Sequence, residues 1–283
     1  MIRIVTDSTA GMPLDVAAQH GVEVVPLRVI FPDATYRDLV DISPSRFYEL
    51  LGASPALPTT SQPPAAEFQG VFERVTAGGD DVLAILISSK LSGTVASAVA
   101  AKQELPQAQV TVFDSQVTAG PQKFMVERAL ARAQAGATVE EIVRDLEIMR
   151  ERAQIYFTIE TFEYLQKGGR IGGAAALAGT LLRIKPILTL RDGSVAAWGK
   201  VRGKRKALQT FLDATLQQVG TGPSVRCAVM HAAAPDEAEE LRQEAQRAFQ
   251  CPVPDLAEFS PVLGVHVGPG TVGLAAYNEE WLA

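Results

Sequence analysis

Four short runs rich in β-branched residues, at 2–5, 22–25, 82–87 and 110–113, alternate with segments of helical periodicity at 14–19, 44–51, 65–75, 92–104 and 122–134. Strand, helix and strand in succession need crossover connections, which are right-handed and set the strands parallel. This alternation restricts the first half of the chain to a layered α/β arrangement with a largely parallel sheet. Residues 138–152 then read as one amphipathic helix, with Val139, Ile142, Val143, Leu146 and Met149 on a single face. Thr138 and Glu141 form a capping box at its start.

After that helix the pattern begins again. A strand at 155–159 leads through the glycine-rich KGGRIGG into an alanine-rich helix expected over 171–182. Segments 184–190 and 194–198 pair as a hairpin around Asp192-Gly193. A helix at 204–219, a strand at 225–230, a helix at 236–249 and a last strand at 271–277 complete the reading. A boundary near residue 153 divides the 283 residues into two expected domains, 1–152 and 153–283. The stretch GASPALPTTSQPP is expected to be an irregular linker, since its four prolines oppose regular structure and expose the hydroxyls between them.

The net charge of −6 and the scattered basic residues argue against nucleic acid as a partner. Cys227 and Cys251 lack metal-ligand or CxxC spacing and read as small buried hydrophobes in a reducing compartment. MIRIVTDST reads as a strand and not as a signal peptide. The longest apolar run, 171–182 between Arg170 and Arg183, suits a buried helix better than a membrane span. The expectation is a soluble cytoplasmic protein.

Most catalytic motifs fail. Around Ser92 the sequence KLSGT lacks the first glycine of a nucleophile elbow. GPGTVG matches a dinucleotide fingerprint in form only, because ten residues remain after it, so it reads as a tight turn into the last strand. Gly193…Gly199-Lys200 misses the P-loop spacing, and no HExxH or acidic cluster points to a metal.

Four polar clusters remain. Ser92-Gly93-Thr94 opens a helix, where unpaired N–H groups and the dipole attract an anion; the same residues also serve as a plain N-cap. Thr59-Thr60-Ser61 is either a donor set or a solvated turn. His266, in GVHVGPG, either faces a cleft or acts as a structural donor. KGGRI and KVRGKRK are either solvated surface or, at Arg170 behind two glycines, a close approach to a neighbour.

In order and spacing, VTDSTAG, PTTSQP, SSKLSGTVASA, VFDS, FEYLQKGGRIG, RIKPIL, GKVRGKRKA and GVHVGPGTVG resemble the DegV family over nearly the whole chain. The resemblance implies a two-domain α/β fold, with a parallel-sheet N-terminal domain, a mixed-sheet C-terminal domain and a ligand tunnel at their interface. These are bacterial fatty-acid-binding proteins that serve as the binding subunit of fatty acid kinase. One long-chain fatty acid is therefore implied in the tunnel, with its carboxyl head near the interface. A separate ATP-dependent kinase subunit would convert that head to acyl phosphate for phospholipid synthesis, and the chain itself would hold no cofactor and perform no catalysis. Carried over residue by residue, Thr60 and Ser92 match positions whose hydroxyls bind the carboxylate, and Ser61, Gly93 and Thr94 adjoin them. His266 matches the histidine beside the head group. Arg170 and Arg202 match basic positions near the mouth, the latter associated with kinase contact. After VFDS many members carry a glycine pair near Gly120, whereas this chain has AGPQKF, so the resemblance leaves the turn at 117–123 unspecified.

Elementary energetics agree with that implication. Burying an acyl chain of ~14–18 carbons at about 0.8 kcal/mol per methylene gives on the order of 10 kcal/mol before ordering costs. Affinity can come from the tail, and neutral donors suffice for the head, where a bidentate arginine would shield the reacting oxygen. Two other classes stay open: a serine-type acyl ester hydrolase with Ser92 as nucleophile and His266 as base, and a regulatory sensor of a small carboxylate.

Overall fold

The structure, a computed structural model, describes residues 1–179 and 184–282. In chain order the strands and α-helices of the first half are β1 (Ile2–Asp7), α1 (Leu14–Gln19), β2 (Glu23–Val25), β3 (Arg28–Ile30), β4 (Thr35–Arg37), α2 (Pro44–Ala53), β5 (Thr59–Ser61), α3 (Ala65–Thr76), β6 (Asp81–Leu86), α4 (Thr94–Gln103), β7 (Val110–Asp114), α5 (Ala119–Gln134) and α6 (Val139–Arg152). The second half has β8 (Gln154–Thr158), α7 (Glu163–Lys167), β9 (Ile184–Arg191), β10 (Ser194–Arg202), α8 (Lys204–Val219), β11 (Val225–His231), α9 (Pro235–Phe249), β12 (Asp255–Glu258), α10 (Pro261–Val267) and β13 (Val272–Asn278).

The expected α/β architecture is present. Strands β2-β1-β6-β7 form a wholly parallel sheet, and β10-β9-β8-β13-β11-β12 form a mixed one. In the mixed sheet only the β11–β12 pair is parallel, with α9 as its crossover. The capping box of Thr138 and Glu141 opens α6 as predicted. Asp192 and Gly193 both take positive φ, 50° and 80°, the geometry a tight β9–β10 hairpin requires. In place of the helix expected over 171–182, a 3₁₀ turn covers Gly172–Leu177. The rest of that expectation, with Arg183, falls outside the described residues.

One part of the sequence reading is corrected. The proline-rich segment is not wholly irregular, because Thr59–Ser61 forms β5 and pairs with β3 in a three-stranded antiparallel sheet, β4-β3-β5. β5 is an edge strand, where flanking prolines remove no ladder bond. Val29 pairs with Thr60 and Arg28 with Ser61, so Thr60 shares the face of the fully buried Val29 while Ser61 faces the other way.

The parallel sheet positions the site through its carboxyl ends. Its order reverses between β1 and β6, the switch point where open α/β sheets form crevices. There Asp7, fully buried, accepts hydrogen bonds from Thr9 N, Thr9 Oγ1, Ile87 N and Gln122 Nε2. Burial pushes its carboxyl above the usual range, and those bonds offset part of that rise. One carboxylate thus ties β1, the end of β6 and α5 together.

The largest core cluster crosses between the two halves: Ile4 and Leu83 of the parallel sheet, Phe124 of α5 and Leu146 of α6 join Ala228 and Tyr277 of the mixed sheet. Leu146→Ala, at a fully buried position of this cluster, is therefore expected to cost about 2–5 kcal/mol. Calorimetry should show one cooperative transition shifted as a whole; two transitions, only one of them shifted, would contradict a shared core.

Candidate binding cleft

A cleft lies between the carboxyl ends of the parallel sheet and the inner face of the mixed sheet. Its deep walls are apolar, with Ile87 after β6, Ile155 and Phe157 from β8, Leu190 from β9, and Phe259 and Leu263 beside and within α10. About 790 Å³ of atom-free space lies among its lining atoms, the open mouth included. The polar end gathers Thr60, Gln62, Ser92, Arg170 and His266. On the far side of that end runs an outer groove lined by Pro58, Tyr164 and Lys167, and it shares Thr60, Arg170 and His266 with the cleft. These three residues form a partition between interior and exterior.

His266 reaches the partition on α10, a helix the sequence reading did not anticipate. Pro261 occupies its first turn behind Ser260, a legible start signal, but Gly264 and the run GVHVGPG masked it. The glycine has a packing reason: a Cβ there would fall 2.7 Å from the Phe47 ring. Val262 N donates to Asp38 Oδ1 at 3.1 Å, holding the start of α10 from the fully buried carboxyl that burial raises to about 6.

At the partition, Thr60 Oγ1 and His266 Nε2 are 2.8 Å apart. His266 Nδ1 is out of contact with solvent and has no hydrogen-bond partner among the described residues. Burial, and secondarily the Arg170 guanidinium, lower the imidazole to about 4, so the ring is neutral at pH 7. The stability gained by burying a neutral ring is complete above pH 6.5, the unfolded value, and is lost as pH falls through about 4. Asp38 works in the opposite sense: its raised carboxyl favours the folded state at low pH, and that contribution fades as pH rises through about 6.

Arg170 does not offer a free fork to a carboxylate. Its Nε donates to Leu91 O at 3.0 Å and its Nη1 to Gly168 O at 2.6 Å, bracing the loop after β6 against the turn after α7. Ser92 also differs from its expected role as helix cap. Helix α4 starts at Thr94 with Gly93 as N-cap and no side-chain cap bond, while Ser92 Oγ pairs with Thr94 Oγ1 at 2.8 Å. Thr94 is fully buried, and Gly93 packs against the Gln62 side chain. Of the predicted site residues, Thr60, Ser92, Arg170 and His266 line the cleft. Gly93 and Thr94 support its wall, Ser61 faces away, and Arg202 ends β10 on an exposed position outside it.

Two lining residues escaped the sequence reading. Gln62 follows the hydroxyl cluster directly. Thr118 holds the N-cap position of α5 without capping it, and its buried Oγ1 has no partner among the described residues. Next to it Ala119 adopts φ 55°, a left-handed conformation that costs a non-glycine residue on the order of 1 kcal/mol.

A family model described as the DegV family of uncharacterised proteins matches residues 1–279. The chain belongs to the DegV family. A DegV-family protein of Thermus thermophilus, described as fatty-acid-binding, shares 39% identity and superposes at a TM-score of 0.92, covering 98% of this chain and 99% of its own. DegV of Bacillus subtilis, described as a fatty acid binding protein, gives 32% and 0.88 with 98% and 99% coverage. A stearic acid-binding protein of Eubacterium ventriosum gives 27% and 0.90, with 99% of both chains covered. Within this DegV-family chain, Ala119 adopts a glycine-like backbone in the turn at 117–123, which the resemblance left unspecified.

Gly168 decides how closely the histidine approaches, since a Cβ there would lie 2.3 Å from His266 Nδ1. NMR titration of the wild-type ring is expected to give a midpoint near 4. Gly168→Ala should push the ring outward and raise that midpoint toward 6.5; a wild-type midpoint above about 6 would contradict the burial of a neutral ring.

Proposed function

We propose that this DegV-family protein binds one long-chain fatty acid in the cleft, tail inward, and presents its carboxylate at the partition to a separate ATP-using kinase subunit. The observation carrying this reading is the polarity of the cleft: an apolar interior ends at the neutral polar groups Thr60, Ser92 and His266, of which Thr60 and His266 also border the outer groove. The fatty-acid-binding relatives, similar along almost their whole length, support the same ligand class. In this reading the chain works in the cytoplasm without catalysis of its own. The domains 1–152 and 153–283 meet along the cleft, and the kinase approaches from the side of Arg170 and Arg202.

Three features favour binding over hydrolysis at Ser92. Its hydroxyl is paired with Thr94, the Nε2 of His266 is taken by Thr60, and among the described residues no carboxylate orients Nδ1. Neutral donors can hold an anion while leaving one of its oxygens accessible from the groove, as phosphoryl transfer to that oxygen requires. Among the described residues no helix is long and apolar enough to cross a membrane, and no group of three or more His, Cys, Asp or Glu gathers as a metal site.

Organic extraction of the denatured protein followed by mass spectrometry is expected to release a long-chain fatty acid at near one per chain. Ser92→Ala should lower affinity for palmitate on the order of tenfold with the fold intact. Extraction without any long-chain acid, together with unchanged palmitate affinity in Ser92→Ala, would refute the assignment.

A further inference from the structure

Ser88 lies four residues before Ser92, outside the cleft and fully buried. All of its polar atoms are engaged. Its Oγ donates to Gly193 O at 2.7 Å and accepts from Lys90 N at 3.2 Å. Its N–H donates to Val117 O at 2.9 Å, and its carbonyl accepts from Leu91 N at 2.9 Å and Ser92 N at 3.1 Å. The contact with Gly193 comes from the mixed sheet, at the tip of the β9–β10 hairpin. A side chain at that position meets two obstacles: a φ of +80°, which few residues besides glycine adopt, and a Cβ that would fall 2.5 Å from Ser88 Oγ.

We infer that Ser88 is a positioning residue, a clasp by which the hairpin tip of the mixed sheet sets where the Ser92 hydroxyl stands in the cleft. The turn 88–92 is fastened to the second half of the chain at both ends, by Gly193 at Ser88 and by Arg170 at Leu91 O. Between these anchors the turn is held by its own backbone bonds, which carry Ser92 with them. Removing the Ser88 hydroxyl leaves the Gly193 carbonyl without its donor and frees one anchor, so the turn shifts and the Ser92 donor loses its aim. The inference rests on the reading that Ser92 receives the carboxylate of the ligand.

The test is a double-mutant cycle on the delipidated full chain, with palmitate and the neutral hexadecanol as probes. Ser88→Ala is expected to weaken palmitate about fivefold and hexadecanol less than about twofold, because only the acid uses the Ser92 donor strongly. In a Ser92→Ala background the same change should move palmitate by less than about twofold. Gly193→Asn supplies a second approach: asparagine tolerates the left-handed turn, but its Cβ collides with Ser88 Oγ, and the same selective loss is expected. Equal losses for both probes, or full additivity with Ser92→Ala, would overturn the clasp while leaving carboxylate binding at Ser92 standing. A wild-type chain that binds palmitate no better than hexadecanol would overturn the parent reading and the clasp with it.

Discussion

The polar end of the cleft depends on how closely two short helices approach. Over Gly168, at the end of α7, the His266 ring lies where a side chain would have to be; over Gly268, at the end of α10, lies the ring of Tyr164, only 2.3 Å from an ideal Cβ. Each helix therefore offers a glycine to an aromatic side chain of the other. This reciprocal contact brings His266 within 2.8 Å of Thr60, and the edge strand β5 supplies the hydroxyl from the opposite side. Widening the gap by one methyl group at either glycine would open the partition between cleft and groove.

Charge is managed with the same economy. The Arg170 guanidinium, the one that lines the cleft among the described residues, spends donors on two backbone carbonyls, and its positive field helps keep the adjacent histidine neutral. An anion arriving at the partition meets hydroxyls and a neutral imidazole, backed by an arginine that is oriented but not free to clamp. On the proposed reading such a site gives direction more than affinity, and the apolar interior supplies the latter. The buried acids act from behind: Asp7 fixes Ile87 N at the end of β6, and Asp38 fixes Val262 N at the start of α10. Both lining elements thereby hang from carboxylates that do not themselves line the cleft.

Much of this was legible in the chain where the signals are local. Alternating strand and helix patterns named the parallel sheet, Thr138 and Glu141 marked the start of α6, and Asp192-Gly193 marked the hairpin. What escaped depends on contacts distant in sequence. Prolines around Thr59–Ser61 read as irregular because the pairing that makes β5 a strand comes from Arg28–Ile30, some thirty residues earlier. Helix α10 was hidden because Gly264 reads as a breaker, although it is there for the Phe47 ring. Ser92 looked like a cap by its place before a small-residue helix, yet the helix starts two residues later and the hydroxyl turns to Thr94. Thr60, Ser92 and His266 stand out in the sequence as polar clusters and take their roles from family likeness, whereas Thr118 and Gln62 needed the packed cleft to be seen.

A crystal structure of the complex with palmitate would show which end of the acyl chain meets the partition. One carboxylate oxygen is expected within hydrogen-bond distance, about 3.2 Å or less, of Ser92 Oγ, with Thr60 and His266 beside it and the tail running past Ile87 toward Phe259. A carboxylate buried at the Phe259 end with the tail at the partition, or an acyl chain bound outside the cleft, would contradict it.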